Sequence, residues 1–125
     1  MKNFVTVAAA ATLMAPGAAM AEEADFLVAT GADLAALCSA APADADYAAA
    51  IHMCQGFIVG VDQFHTAVMQ DEAGAGIYCL PPAGAPSRDE AAASFAAWVA
   101  ETPRAGDLRA VEALVRWAAA VYPCK

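Results

Sequence analysis

The sequence predicts a small all-α domain, a bundle of about four helices arranged as two helical hairpins and stapled by two disulfides. Three observations carry that expectation. Apolar residues recur at intervals of three and four in successive segments, the signature of amphipathic helices. Capping signals open these segments and prolines close them. Four cysteines stand in a short chain that begins with an export leader, an even set in an oxidising compartment. No strand-like alternation of useful length and no internal repeat is present.

The leader comes first. Met1, Lys2 and Asn3 precede an apolar run from Phe4 to Met14, followed by Pro16, Gly17 and the small-residue triplet Ala19, Met20, Ala21. These are the three parts of a secretory signal peptide over residues 1–21. Its apolar run falls short of the roughly 20 residues that a membrane span needs. Glu22, Glu23 and Asp25 follow the cleavage site rather than a cysteine, which predicts release rather than lipid anchoring. Removing the leader leaves residues 22–125, 104 of 125, enough for one domain with a modest core that gains from cross-links.

Residues 22–29 read as a lead-in. Thr30 and Asp33 form an S/T-x-x-D/E start ahead of Leu34, Leu37 and Cys38, predicting a first helix near 31–40 that Pro42 ends. The longest segment, about 46–70, repeats Ile51, Cys54, Ile58, Val61, His65 and Val68 on one face, with Phe57 and Phe64 alongside. That pattern predicts a buried helix, with His65 as a core histidine. Gly56 and Gly60 each cost about 1 kcal/mol in a helix interior, which suggests close approach of a neighbouring backbone. Asp71 to Gly76 and the Pro81 to Ser87 stretch are connections. Ser87 with Glu90 then caps a third helix carrying Ala91, Phe95, Trp98 and Val99 as far as Pro103. Gly106 and Asp107 open a fourth, with Leu108, Val111, Val115, Ala118 and Tyr122 on one face.

Composition narrows function by exclusion. Without the leader, five basic residues stand against fourteen acidic ones, a net charge of −9 that disfavours nucleic acid and suits steering toward a basic protein surface. Zinc sites pair ligands two to four residues apart, whereas these cysteines are sixteen, twenty-five and forty-five apart. His52 is two residues from Cys54 and so lies on another helical face, which argues against a Cys–His nucleophile. Asp62, Asp71 and Glu72 read as solvated carboxylates, and Trp98 and Trp117 as core. No phosphate loop, serine elbow or metalloprotease motif occurs. The expectation is a non-enzyme without cofactor or metal.

Topology selects among the three possible cysteine pairings. In an antiparallel hairpin, Cys38 at the end of the first helix lies near Cys54 in the early turns of the second. Cys79 before the third helix likewise meets Cys124 after the fourth, predicting Cys38–Cys54 and Cys79–Cys124.

The stretches Thr30-Gly31-Ala32-Asp33-Leu34 to Cys38, Cys54-Gln55-Gly56-Phe57-Ile58-Val59-Gly60-Val61-Asp62, Tyr78-Cys79-Leu80-Pro81 and Val121-Tyr122-Pro123-Cys124-Lys125 resemble the Rap/Tai family of type VI secretion amidase immunity proteins. The likeness covers nearly all of the chain after the leader. It implies a periplasmic helical protein, often a homodimer, that binds and blocks an injected Cys–His amidase before that enzyme cuts peptidoglycan. The four cysteines correspond to the family's structural thiols. Asp71 and Glu72, in the turn between the hairpins, are the candidate partner-binding residues. The alternative reading is a periplasmic stress chaperone or another non-catalytic binding domain.

Overall fold

The computed structural model describes residues 20–69 and 76–125. Four α-helices follow one another: α1 (Gly31–Cys38), α2 (Tyr47–Met69), α3 (Arg88–Glu101) and α4 (Ala110–Val121). Single 3-10 turns occupy Glu23–Leu27 and Ala105–Asp107. Among the described residues there is no strand, and one isolated antiparallel bridge joins Thr30 to Arg109. The predicted fold class is therefore the observed one.

Local chemistry sets the helix starts. The Asp33 amide donates to Thr30 Oγ1 at 3.2 Å while the Thr30 amide donates to Asp33 Oδ2 at 2.9 Å, a reciprocal capping box. Ser87 and Glu90 repeat the arrangement at α3, with 2.7 Å and 3.2 Å bonds. The fourth helix departs from expectation. Arg104 adopts a left-handed backbone (φ 63°) and turns the chain into the 105–107 turn, so α4 begins at Ala110 rather than at Gly106. The lead-in also gains structure, since the Glu22 amide donates to Asp25 Oδ2 at 2.7 Å at the start of the 23–27 turn.

Helix α1, only two turns long, is the centre of the bundle: it packs against α2, α3, α4 and both 3-10 turns. Leu34 and Leu37 are fully buried with Cys54 and Phe95. The Phe95 and Trp117 rings meet edge to face at 5.9 Å, and the Trp117 indole N–H donates to Ser94 Oγ at 3.2 Å. Much of the remaining core is alanine, including Ala50, Ala91, Ala92, Ala110, Ala113 and Ala118. Small side chains let helices approach closely but bury little apolar area each, so covalent cross-links matter more. Both predicted disulfides are present, Cys38–Cys54 and Cys79–Cys124.

Close backbone approach falls at an unexpected glycine. A Cβ on Gly31 would lie 2.5 Å from the Ala105 carbonyl oxygen and 2.8 Å from Ala113 Cβ. Its amide donates to the Leu108 carbonyl at 2.8 Å, which fastens the start of α1 to the approach of α4. Gly56 and Gly60, by contrast, have nothing within 4 Å of such a Cβ, so they face open space and pack no described residue of this chain.

Candidate protein-binding surface

Among the described residues, only the first part of α2 is packed into the core. Its buried residues are Ala50 and Cys54, and its contact with the core continues through Ile51, Phe57, Ile58 and Val61. Beyond Val61 the helix carries apolar side chains into solvent: Phe64 is 71% exposed and Val68 54%. The apolar periodicity forms a helix as expected, yet its second half is not the buried helix that the pattern predicts. Ile77, 51% exposed, and Val111, 46%, extend the patch onto the following segment and α4. Together with Gly60 and Val115 they border an apolar groove of about 260 Å³. A contiguous apolar surface of this kind is a candidate interaction site.

The segment 76–80 is held against α2 by a clasp of specific bonds. The Ile77 amide donates to His65 Nε2 at 3.1 Å, which requires that nitrogen to be unprotonated. The Tyr78 hydroxyl donates to Asp62 Oδ1 at 3.2 Å, and the Tyr78 ring stacks on His65 at 4.0 Å, 15° from parallel. Asp62 and His65 are three residues apart and so share one face of α2. The Cys79 amide donates to the Tyr122 carbonyl at 2.8 Å, and the Cys79–Cys124 bridge closes the same junction covalently. Cys124 Sγ also lies 3.2 Å from the Gly76 carbonyl oxygen, a contact rather than a donated bond because the oxidised sulfur carries no proton. Tyr78 is only 5% exposed. Burial first, and the adjacent Asp62 charge second, hold its pKa well above the ordinary phenol value, so it remains a donor.

Two readings of the residues change here. Asp62 is a partner of Tyr78 rather than a freely solvated carboxylate, and His65 is a half-buried acceptor at the edge of the core. Their shared face was visible in the sequence, but the return of Tyr78 across α2 was not. Asp71 and Glu72 lie outside the described residues; the flanking positions Met69 and Gly76 adjoin the groove and His65 respectively.

On the other side of the clasp, between α2, the 78–88 segment and α4, sits a smaller cavity of about 120 Å³. Its walls include Ile58, Leu80, Trp117 and Tyr122, and its polar lining comprises Asp62, Tyr78, Ser87 and Arg88.

Chemistry on the four sulfurs is closed off, since all are oxidised. Among the described residues no group of three His, Cys, Asp or Glu side chains is placed to hold a metal ion. No helix of the described residues is long and apolar enough to cross a membrane.

A family model described as Rap1a immunity proteins matches residues 30–124. No curated protein and no solved structure matches the chain.

Proposed function

As the chain belongs to the Rap1a immunity protein family, we propose that it is a periplasmic inhibitor that binds an exported peptidoglycan amidase delivered by type VI secretion. An immunity protein acts by occupying its effector, which calls for a rigid body with a surface to spare. The observation that carries the reading is the apolar groove of Phe64, Val68, Ile77 and Val111, exposed beside a clasped and disulfide-bonded segment. Exposed aromatic and aliphatic side chains on a pre-organised frame bind with little ordering cost. Export is supported by the leader-like residues 1–21 and by the two disulfides. Asp71 and Glu72, two residues beyond Met69 in the sequence, would supply acidic charge that speeds encounter with a basic cleft mouth.

The homodimer implied by the resemblance fits an adjoining strip of α2 that shares Gly60 with the groove. Met53, Gly56 and Gly60 share one exposed side of α2, and glycines there admit a second helix at short range.

The test is an inhibition assay with a Cys–His amidase from the same genomic neighbourhood acting on purified peptidoglycan. Equimolar protein should abolish cleavage, and Phe64→Asp with Ile77→Asp should weaken inhibition at least tenfold, about 1.4 kcal/mol or more, while leaving the fold intact. Uninhibited cleavage at excess protein rejects the amidase reading. Suppressed aggregation of many unrelated unfolded proteins would move the assignment to the chaperone class.

A further inference from the structure

The cavity beside the clasp has features that the groove lacks. At about 120 Å³ it is close to the 150 Å³ or so at which an apolar cavity admits a single ring, and well below the roughly 300 Å³ where small-molecule sites begin. One side chain fills it. Its walls are apolar, from Ile58, Leu80, Trp117 and Tyr122, yet Asp62 places a carboxylate among them. Tyr78 engages one oxygen of that carboxylate at 3.2 Å, and among the described residues Asp62 has no other hydrogen bond and no ion pair. An ionised carboxylate can accept about four hydrogen bonds, so most of its capacity is unused. A largely apolar cavity with an anion in its wall matches a lysine or arginine: the aliphatic stem would lie against the apolar walls, the cationic head would reach Asp62, and the rings of Trp117 and Tyr122 also line the space. The acidic excess of the chain as a whole favours a basic partner.

We propose that this cavity receives one lysine or arginine side chain of a partner protein, anchoring it beside the apolar groove. The proposal rests on the reading that the chain works by binding a protein. Arg88 also borders the cavity and, among the described residues, pairs with no carboxylate within 4 Å, so it opposes the incoming cation. That makes the site's preference measurable from both signs of charge.

The test needs no partner, so its failure and the failure of amidase inhibition are separate results. The full protein is titrated with n-butylammonium, n-butanol and valerate while the indole resonance of Trp117 is followed by NMR. Butylammonium should shift that resonance with a dissociation constant on the order of a millimolar, as a five-atom ligand allows, and at least threefold tighter than butanol. Valerate should not bind. Asp62→Asn should erase the preference for the cation, and Arg88→Gln should tighten cation binding about two- to threefold. Because Asp62→Asn also alters the clasp, Arg88→Gln provides the independent arm. Equal binding of all three probes, a preference for valerate, weaker cation binding in Arg88→Gln, or no shift of Trp117 overturns the proposal.

Discussion

The two halves of α2 are built from the same kind of sequence and do opposite things. Through about Val61 the helix is locked, with Cys54 fully buried and bonded to Cys38 and with Ala50, Ile51 and Phe57 against the core. From Phe64 onward its apolar side chains Phe64 and Val68 are exposed, and among the described residues its attachment passes through the clasp and the Cys79–Cys124 bridge. Cys79 is exposed, whereas Cys38 and Cys54 are 6% and 0% exposed. The lesson is that amphipathic period reports which face of a helix is apolar, while the element that covers it can belong to another molecule.

Breaking the covalent link in each half tests this contrast most strongly. Replacing Cys38 and Cys54 with alanine removes a sixteen-residue closure worth about 3 kcal/mol and leaves a void in the core, for a total near 4 to 5 kcal/mol. That is a large share of the 5 to 15 kcal/mol that holds a typical domain. Replacing Cys79 and Cys124 costs about 4 kcal/mol on loop closure alone, with no buried void to add. Urea unfolding of both variants gives the order. Alkylation after mild reduction should label Cys79 and Cys124 before Cys38 and Cys54; the reverse order would contradict the exposure difference.

Glycines give the next, smaller comparison. Gly31→Ala forces a methyl into the Ala105 carbonyl and the Ala113 methyl, and should destabilise by about 1 to 3 kcal/mol. Gly56→Ala and Gly60→Ala meet nothing within the chain and should each stabilise the monomer by about 1 kcal/mol through helix propensity. Sedimentation at the same concentrations sharpens the result: if the open glycine face seats a second copy, these substitutions weaken self-association while raising monomer stability.

Those glycines also show where sequence reading stops. The capping boxes of Thr30 with Asp33 and Ser87 with Glu90 were legible because each is complete within four residues. The disulfide pairing was legible because hairpin topology brings only certain ends together. Gly31 was not, since what crowds it lies at Ala105 and Ala113, more than seventy residues away. Their place in a helix interior points to Gly56 and Gly60 instead, although that place alone does not supply the neighbour. The clasp was hidden for the same reason: Asp62 and His65 acquire a role only when Ile77 and Tyr78 fold back over them. Asp71 and Glu72 remain a proposal about charge, because they lie outside the described residues.

The smallest expected effect is a dependence on alkaline pH. Burial and the Asp62 charge raise the Tyr78 pKa in the folded state above its unfolded value near 10. The folded protein therefore holds that proton more tightly. Its contribution is complete below about pH 10 and declines as pH rises beyond it. Unfolding free energies measured between pH 9 and 11 should fall in the parent protein and fall less in Tyr78→Phe. Equal slopes in the two proteins would show that the open half of α2 does not depend on this phenol.

The order of the two sulfur bridges along the chain has a consequence for biosynthesis. They are consecutive rather than interleaved: Cys38 joins Cys54, and only afterwards do Cys79 and Cys124 appear. A polypeptide threaded amino end first into an oxidant presents its thiols in the order in which they must be joined. Oxidation that keeps pace with such threading would favour the native pairs and reduce the need to reshuffle wrong ones. The apolar groove is completed last, once the α4 residues Val111 and Val115 have emerged.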